Sequence, residues 1–193
     1  AITASRPKAS QVAAGFIDLD SFKRVNDTLG HEAGDEALLQ FAQRIGRAVA
    51  EAGGDEALLA RFGGDEFVIL VGDGDVAANA RLLAEVLVRE LGKPLVVQGR
   101  ELFLGTSIGV TLFPDDAADA TTLLKNGDIA MYQAKMAGKN CYRHYSRAMD
   151  HAVERRVHME QELRGAWERG ELRLAYQPIF RMRDRRMVGV EVL

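Results

Sequence analysis

Two neighbouring carboxylates at a sharp turn are the first feature of this sequence that could do chemistry. Asp65 and Glu66 directly follow Gly63-Gly64, and this pair of glycines separates two apolar runs. Such a pair predicts a two-residue hairpin turn, because both central positions of the favoured turn need positive φ. The tip of a hairpin is a rigid support for carboxylates, whose oxygens are the ligands that hard cations prefer. The alternative for an isolated Gly-Gly-Asp-Glu is a solvated turn without function.

A second acidic stretch favours the metal-binding interpretation. Residues 16–20 form a short apolar strand that is interrupted by Asp18 and Asp20. Side chains alternate between the two faces of a strand, so these carboxylates are expected on the same face. If this strand pairs beside the hairpin, Asp18 and Asp65 could share a metal ion.

Strand and helix patterns alternate along the chain and define the scaffold that must hold these acids. The predicted elements near them are a strand at 15–22, a polar loop at 26–34, a helix from 35 to about 52 and a helix from about 119 to 137. A hairpin within such an alternation predicts a mixed, largely antiparallel sheet with helices packed on it, rather than a doubly wound parallel sheet.

The composition is that of an ordinary globular protein, with 47% hydrophobic and 27% charged residues among 193. The formal net charge of −3 gives no general attraction to nucleic acid or to anionic membranes. No apolar run reaches the ~18 residues of a membrane span, so no membrane contact is expected from this chain. Cys141 is the only cysteine, which is typical of a reducing compartment. We therefore expect a cytoplasmic location, although the parent protein could carry a membrane anchor.

The acidic stretches belong to four motifs that together resemble the GGDEF family of diguanylate cyclases. They occur in the order and spacing of that family: Phe16-Ile17-Asp18-Leu19-Asp20-Ser21-Phe22-Lys23, Asn26-Asp27-Thr28-Leu29-Gly30-His31 with Gly34-Asp35, Gly63-Gly64-Asp65-Glu66-Phe67, and Asp128-Ile129-Ala130-Met131-Tyr132-Gln133-Ala134-Lys135 with Gly138-Lys139-Asn140. The resemblance implies an α+β fold whose central, mostly antiparallel five-stranded sheet is flanked by helices, similar to nucleotidyl cyclases and the polymerase palm.

The resemblance also implies an activity, the condensation of two GTP into cyclic di-GMP and two pyrophosphates in bacterial second-messenger signalling. Each domain would hold one GTP with Mg²⁺ or Mn²⁺. Since each GTP is both nucleophile and electrophile, two domains must face each other in a homodimer. The expected partners are GTP, cyclic di-GMP, a second copy of the chain and an upstream sensor domain in the parent protein, with no nucleic acid.

By this resemblance, the metal ligands are Asp18, Asp65 and Glu66 with the main-chain carbonyl of Leu19. Asp65 and Glu66 are also expected to be catalytic, as is Lys23, which would stabilise charge in the transition state. Two-metal sites of this kind clamp the attacking and the leaving oxygens of a nucleotidyl transfer.

Five residues match the positions that bind substrate in the family. Asn26 and Asp35 match guanine-binding positions, since an amide can donate to ring acceptors and a carboxylate can accept from the N–H groups of guanine. Phe22 would contribute its backbone N–H to a phosphate cradle, and Lys135 and Lys139 would contact the triphosphate. The family usually has Arg at the position of Lys139, so a weaker hold on phosphate is expected, because Lys lacks the bidentate fork.

The sequence pattern changes at Ser146. Residues 146–168 have a charged helical pattern, and strand-like runs at 172–179 and 187–193 flank a charged turn. They resemble the start of an EAL domain, the cyclic di-GMP phosphodiesterase, with Val192 where the motif has Ala. We expect residues 1–145 to form the diguanylate cyclase domain, and residues 146–193 to form a linker helix and the first strands of a truncated EAL domain. No phosphodiesterase activity is expected from this chain, because most of the required ligands would lie after Leu193.

Two other functions stay open. One is a catalytically silent GTP-binding domain that regulates an attached EAL phosphodiesterase. The other is a scaffold fragment without turnover, which would fit the absence of the usual N-terminal segment of the family, since the chain is expected to begin inside the first family helix.

Many family members also carry Arg-x-x-Asp before the Gly-Gly turn, where these two side chains bind the product. The matching stretch here is Gly54-Asp55-Glu56-Ala57. Inhibition by product at this place is therefore expected to be absent.

Overall fold

The computed structural model describes residues 11–54, 56–72 and 74–193, apart from the side chains of residues 152–154, 156 and 157. The chain divides into two compact units, Ala1–Asp150 and His151–Leu193. Each unit is described by itself.

A five-stranded sheet is the centre of the first unit. Its strands are β1 (Val12–Leu19), β2 (Leu58–Gly63), β3 (Glu66–Val71), β6 (Thr106–Phe113) and β7 (Cys141–His144). Between β3 and β6 in the chain, β4 (Leu95–Val97) and β5 (Arg100–Leu102) form a separate small hairpin. The strand order in the sheet is β2-β3-β1-β6-β7, and all neighbours are antiparallel except β6 and β7. The prediction of a mostly antiparallel five-stranded sheet in an α+β fold is therefore confirmed.

In the described part of this unit, four helices cover the two faces of the sheet: α1 (Phe22–Leu29), α2 (His31–Ala52), α3 (Val76–Leu91) and α4 (Ala120–Met136). The apolar faces of α2 and α3 pack against one side, where Ile17, Phe41 and Leu87 are almost fully buried. A second core lies on the opposite face of the sheet and includes Phe16 on β1 and Leu123 on α4. The alternation of side chains along β1 supplies both cores, because neighbouring residues point to opposite faces.

Glycine permits a close approach of α4 to the sheet. A Cβ atom at Gly109 on β6 would lie 2.1 Å from the carbonyl oxygen of Gly127 on α4, and a Cβ at Gly127 would lie 2.0 Å from the ring of Phe16. Asp119 caps α4 by accepting a hydrogen bond from the Thr122 N–H at 2.8 Å. The packing and the cap fix the position of α4, which carries two charged residues of the site described below.

Two sequence predictions in this region are wrong. The first strand ends at Leu19 rather than at residue 22, and the predicted polar loop at 26–34 is the second half of α1 and the start of α2. Phe22 and Val25 on α1 are buried and Leu29 packs against the same core, so α1 presents an apolar stripe with helical spacing. Polar residues between these positions make the stripe hard to recognise in the sequence. Gly30, with a φ of +88°, separates α1 from α2.

The second unit contains most of α5 (Arg147–Ala166) and an antiparallel hairpin of β8 (Tyr176–Phe180) and β9 (Met187–Val192). Several large apolar side chains of this hairpin are exposed, among them Tyr176, Phe180 and Val192. No helix in the described part of the chain is both long enough and apolar enough to cross a membrane.

Candidate active site

The hairpin between β2 and β3 carries the two acids of the Gly-Gly-Asp-Glu stretch. Gly63 pairs with Glu66 in the ladder, so the two turn residues are Gly64 and Asp65, and of these only Gly64 has positive φ (+52°). The predicted turn is therefore displaced by one residue. Arg61 closes the turn, because its Nε and Nη2 donate to the carbonyl oxygen of Gly64 at 3.0 and 2.7 Å. Asp65 thus lies on the turn itself, and Glu66 is the first residue of β3.

Asp18, near the end of β1, meets both Glu66 and Lys135. The Cα atoms of Asp18 and Glu66 are direct partners in the β1–β3 register. Lys135 Nζ, in the last turn of α4, lies 2.7 Å from Asp18 Oδ2. Thr106 Oγ1 on β6 donates to the main-chain oxygen of Asp18 at 3.0 Å and fixes the backbone there. The sheet and α4 therefore bring two acids and one cation together.

The site has an excess of negative charge. Burial raises the pKa of Asp18, the ammonium of Lys135 opposes this rise, and the charge of Asp65 adds to it. Burial also raises the pKa of Glu66, and repulsion from Asp18 and Asp128 raises it further. These carboxylates destabilise one another when all are ionised, so the site favours an added cation.

Asp20 does not share the role of Asp18, although alternation along the strand predicted the same face for both. It follows the end of β1 and is buried, and Ser107 Oγ donates to its Oδ1 at 2.7 Å. The backbone N–H of Asn140 donates to its other oxygen at 2.9 Å. Asp20 therefore links β6 and the turn before β7 to the start of α1, which is a structural role that sequence reasoning missed.

The predicted metal ligands are too few to surround a divalent ion alone, but they suit an ion that is also bound by the phosphates of a substrate. Among the described residues, no group of three or more His, Cys, Asp or Glu side chains forms a ready-made metal site. Leu19 is 1% exposed and its hydrocarbon side chain has no metal-binding atom, so this residue could offer only its main-chain carbonyl. Mg²⁺ is commonly bound through one or two carboxylates together with substrate phosphates, and the excess negative charge near Asp18 and Glu66 suits that mode.

The start of α1 gathers the residues predicted to hold phosphate. Ser21 is the N-cap residue but makes no side-chain capping hydrogen bond, so the first N–H groups of the helix, at Phe22 and Lys23, have no such partner. Lys139 Nζ donates to Ser21 Oγ at 3.3 Å, which places a second cation there. The ring of Phe22 is buried, so only its backbone could contact a ligand, whereas the side chain of Lys23 is exposed. N–H groups at a helix N-terminus with nearby cations suit an anion such as phosphate.

The two predicted guanine-binding residues lie at the junction of α1 and α2. The side chain of Asn26 lies against Gly34, where an added Cβ would come within 1.8 Å of Asn26 Oδ1. Asp35 follows Gly34 directly, in the first turns of α2, and its side chain is exposed. Gly34 therefore contacts the Asn26 side chain and is the neighbour of Asp35 in the chain.

The predicted site residues form three groups along β1 and α1. The first group contains the acids Asp18, Asp65 and Glu66 together with Lys135. The second lies at the start of α1 and contains Phe22, Lys23 and Lys139. The third lies at the end of α1 and contains Asn26 and Asp35. Sequence reasoning assigned no role to Asp128, whose charge acts on Glu66. The signal for it is spacing, because Asp128 and Lys135 are seven residues apart and thus on the same side of α4.

A cavity of about 300 Å³ opens beside Glu66 and Asp128. The rest of its lining is apolar and includes Phe16, Leu124 and Met131. This lining does not suit a triphosphate, so the cavity is not the expected nucleotide site.

Sequence comparison identifies relatives of this chain. The profile of the family described as diguanylate cyclase, GGDEF domain, matches residues 1–141. The bifunctional diguanylate cyclase/cyclic di-GMP phosphodiesterase MucR of Pseudomonas aeruginosa is 40% identical over 178 residues, which is 92% of this chain and 25% of MucR. The cyclic di-GMP phosphodiesterase NbdA of the same organism is 37% identical over 188 residues, which is 97% of this chain and 23% of NbdA. The chain spans about a quarter of the length of these curated relatives.

Comparison with solved structures also identifies proteins that contain GGDEF domains. The X-ray structure of an EAL/GGDEF domain protein from M. capsulatus superposes with a TM-score of 0.67 and 37% identity, covering 75% of this chain and 91% of that one. This similarity confirms the predicted fold class, and the family match confirms that the chain contains a diguanylate cyclase domain. Because the family profile matches residues 1–141, which is well over half of its length, this chain belongs to the GGDEF family of diguanylate cyclases.

Proposed function

We propose that this chain is a working diguanylate cyclase, which joins two GTP into cyclic di-GMP and releases two pyrophosphates. The single observation that carries the proposal is the meeting of Asp18, Glu66 and Lys135 where β1 ends and β3 begins, with the start of α1 next in the chain. A catalytically silent domain would not need to retain mutually repelling carboxylates at this place.

The proposed roles follow the three groups of residues. Asn26 and Asp35 bind guanine, and the N–H groups of Phe22 and Lys23 bind phosphate together with Lys135 and Lys139. The ammonium of Lys23 is also proposed to stabilise the charge that develops at the reacting phosphorus. A helix of eight residues is about 12 Å long, so α1 offers base-binding and phosphate-binding groups at its two ends, as an extended nucleotide requires.

The first of these groups of residues is proposed to hold Mg²⁺ or Mn²⁺ through the carboxylates of Asp18, Asp65 and Glu66 and the main-chain carbonyl of Leu19. When bound, such an ion supplies charge neutralisation at the phosphates. The chain holds these oxygens on β1, on the β2–β3 turn and at the start of β3, and the Asp18–Glu66 pairing fixes β1 and β3 side by side. Little reorganisation of the protein is then needed when the substrate arrives.

The reaction requires two chains. In each half-reaction, the ribose 3′-hydroxyl of one GTP attacks the α-phosphorus of the other, one P–O bond forms and one pyrophosphate leaves. We therefore propose a two-fold homodimer as the active state, with the two nucleotide sites facing each other. A cytoplasmic location and an upstream sensor domain in the parent protein are part of the same proposal.

Residues 146–193 are proposed to be a linker helix and the first strands of an EAL domain. An isolated two-stranded hairpin is only marginally stable, and the exposed apolar residues of β8 and β9 need further strands to cover them. The similarity to NbdA extends over 97% of this chain, which supports the same assignment. This chain alone is expected to hydrolyse no cyclic di-GMP.

A silent GTP-binding domain that regulates a phosphodiesterase is the second candidate. The observation that favours it is the 37% identity to NbdA, a protein named as a phosphodiesterase alone. The scaffold alternative predicts no nucleotide binding at all. The three functions therefore differ in whether GTP is bound and whether it is consumed.

The test is incubation of the chain with GTP and Mg²⁺, with chromatographic separation of the products, and calorimetric titration with 3′-deoxyGTP to measure binding. We expect cyclic di-GMP and pyrophosphate, a loss of about 100-fold or more in rate for Asp65→Ala, and an unchanged rate for the control Glu101→Ala on β5. GTP binding without product would support the regulatory alternative, and absence of both would support the scaffold. An Asp65→Ala variant that is folded by circular dichroism and fully active would contradict the proposal.

A further inference from the structure

The ion pair between Lys135 and Asp18 joins two residues that the proposed function assigns to different ligands. Asp18 is proposed to hold the divalent ion, and Lys135 to contact the triphosphate. Lys135 Nζ nevertheless lies 2.7 Å from Asp18 Oδ2. An ammonium at this distance repels a divalent ion at the same carboxylate, so the two cations compete for Asp18.

The surroundings make this pair more than a surface contact. The side chain of Asp18 is 12% exposed and that of Lys135 is 32% exposed, so water screens the pair poorly. The other charges near Asp18 are all negative: Asp20 just after β1, Asp65 on the turn, and Glu66 on β3, which is repelled by Asp18. Lys135 is thus the cation that balances Asp18.

Lys139 differs from Lys135 in its partner. Lys139 Nζ donates to the hydroxyl of Ser21 at the start of α1. It can therefore bind a phosphate without giving up an ion pair with Asp18, whereas Lys135 must leave Asp18 to do so.

We propose that Lys135 substitutes for the metal ion at Asp18 and suppresses metal binding until nucleotide arrives. In the nucleotide-free protein, its ammonium neutralises Asp18 and lowers the affinity for a free divalent ion. When the triphosphate binds, the phosphates attract Lys135, and Asp18 becomes available to the ion that accompanies the nucleotide. Metal and nucleotide binding are then coupled through one side chain, a role that rests on the proposed function.

The experiment measures Mn²⁺ binding to the full chain without nucleotide, using the electron paramagnetic resonance signal of free Mn²⁺. Lys135→Met keeps the length of the side chain and removes its charge, and it is expected to bind Mn²⁺ at least about tenfold more tightly than the wild type. Lys135→Arg keeps the charge and should restore weak binding. Lys125→Met, an exposed position on the same helix, should not change the affinity.

The double variant Asp18→Asn, Lys135→Met tests whether the additional Mn²⁺ affinity of Lys135→Met depends on Asp18. We expect the double variant to lose this additional affinity. Equal or weaker Mn²⁺ binding by Lys135→Met than by the wild type would overturn the proposal, as would tight binding that survives loss of the Asp18 carboxylate. Circular dichroism shows whether each variant is folded. No turnover is measured, so failure of this proposal is distinguishable from a lack of cyclase activity.

Discussion

The side chain of Asn26 on α1 lies directly against the backbone of Gly34 on α2. A Cβ atom at position 34 would come within 1.8 Å of Asn26 Oδ1 and 2.9 Å of its Cγ. Any larger residue at position 34 therefore displaces the Asn26 amide, and Asn26 is one of the two residues proposed to bind guanine.

Gly34→Ala is expected to weaken GTP binding by about tenfold, which corresponds to the loss of roughly one hydrogen bond to the base. The measurement is calorimetric titration with 3′-deoxyGTP and Mg²⁺, since this analogue lacks the attacking hydroxyl and is not consumed. The free energy of unfolding should change little, because the side chain that must move lies near the surface.

Gly46→Ala is the matched control for this variant. Gly46 lies in the same helix, and no atom lies within 4 Å of the position of an added Cβ. This change should stabilise the protein by up to ~1 kcal/mol, as expected for Ala in place of Gly inside a helix, and leave the affinity for nucleotide unchanged. Equal affinities of the two variants would contradict the placement of Asn26 in the guanine site.

Gly109→Ala is expected to lower the free energy of unfolding by about 2–4 kcal/mol. The added Cβ would lie 2.1 Å from Gly127 O and 2.4 Å from Met131 N, and these are backbone atoms that cannot rotate away. Urea denaturation gives the change. Gly15→Ala on β1 is the control, because its added Cβ meets no atom within 4 Å, so similar losses for both variants would refute the close approach of α4.

Glu66→Gln is expected to stabilise the metal-free protein while it impairs the cyclase. Burial and the charges of Asp18 and Asp128 raise the pKa of Glu66, which means that its ionised form is unfavourable in the folded state. Removing this charge should raise the midpoint of thermal unfolding in EDTA at neutral pH by roughly 1–3 °C.

The pH dependence of this gain follows from the sign of the shift. Because the pKa is raised on folding, the folded protein binds the proton more tightly, and its stability falls as pH rises through the raised pKa. The gain of the Gln variant should therefore be largest at neutral pH and disappear as pH falls below the ordinary Glu pKa of about 4.3, because Glu66 then becomes protonated in both states. Glu101→Gln, exposed on β5, is the control, and an equal gain there would assign the effect to net charge instead.

The sequence predicted the sheet and the helices better than it predicted the contacts within the site. The family resemblance was sufficient for the five-stranded fold, and apolar spacing was sufficient for the existence of α2, which begins at His31 rather than at residue 35. They were insufficient for α1, because Asn26 and Asp27 hide its apolar stripe, and for the turn, where a ladder irregularity between Arg61 and Gly63 displaces the tip by one residue.

The sequence suggested that β1 could pair beside the hairpin, but not the partners that Asp18 meets there. Register decides that Asp18 faces Glu66, and the close packing of α4 decides that Lys135 reaches Asp18. Both are tertiary facts that no local spacing encodes. Asp20 was misjudged for the same reason, since its partners Ser107 and Asn140 come from distant parts of the chain.

Residues 54–57, in the turn before β2, match the positions of the product-binding Arg-x-x-Asp. Neither their sequence nor their backbone conformation suits that motif. Gly54 has a φ of +80°, which disfavours any residue with a side chain. Ala57 packs against the main core, and a Cβ at Gly53 would lie 2.8 Å from it, so its side chain points inward. Asp55 lies outside the described residues. No guanidinium and no inward carboxylate could therefore be placed here without strain.

We accordingly expect no inhibition by cyclic di-GMP at this turn. Losing one charge-assisted hydrogen bond costs ~1.5–3 kcal/mol, and with neither Arg nor Asp present both anchors are lost. The negative charge of Glu56 adds repulsion toward a dianionic product, although salt screens it at an exposed position. The check is calorimetric titration of cyclic di-GMP into the chain with 3′-deoxyGTP occupying the active site, beside a cyclase that carries Arg-x-x-Asp as the positive control. Micromolar binding that disappears when residues 54, 56 and 57 are replaced would contradict this expectation, whereas binding that survives those replacements would indicate a different site.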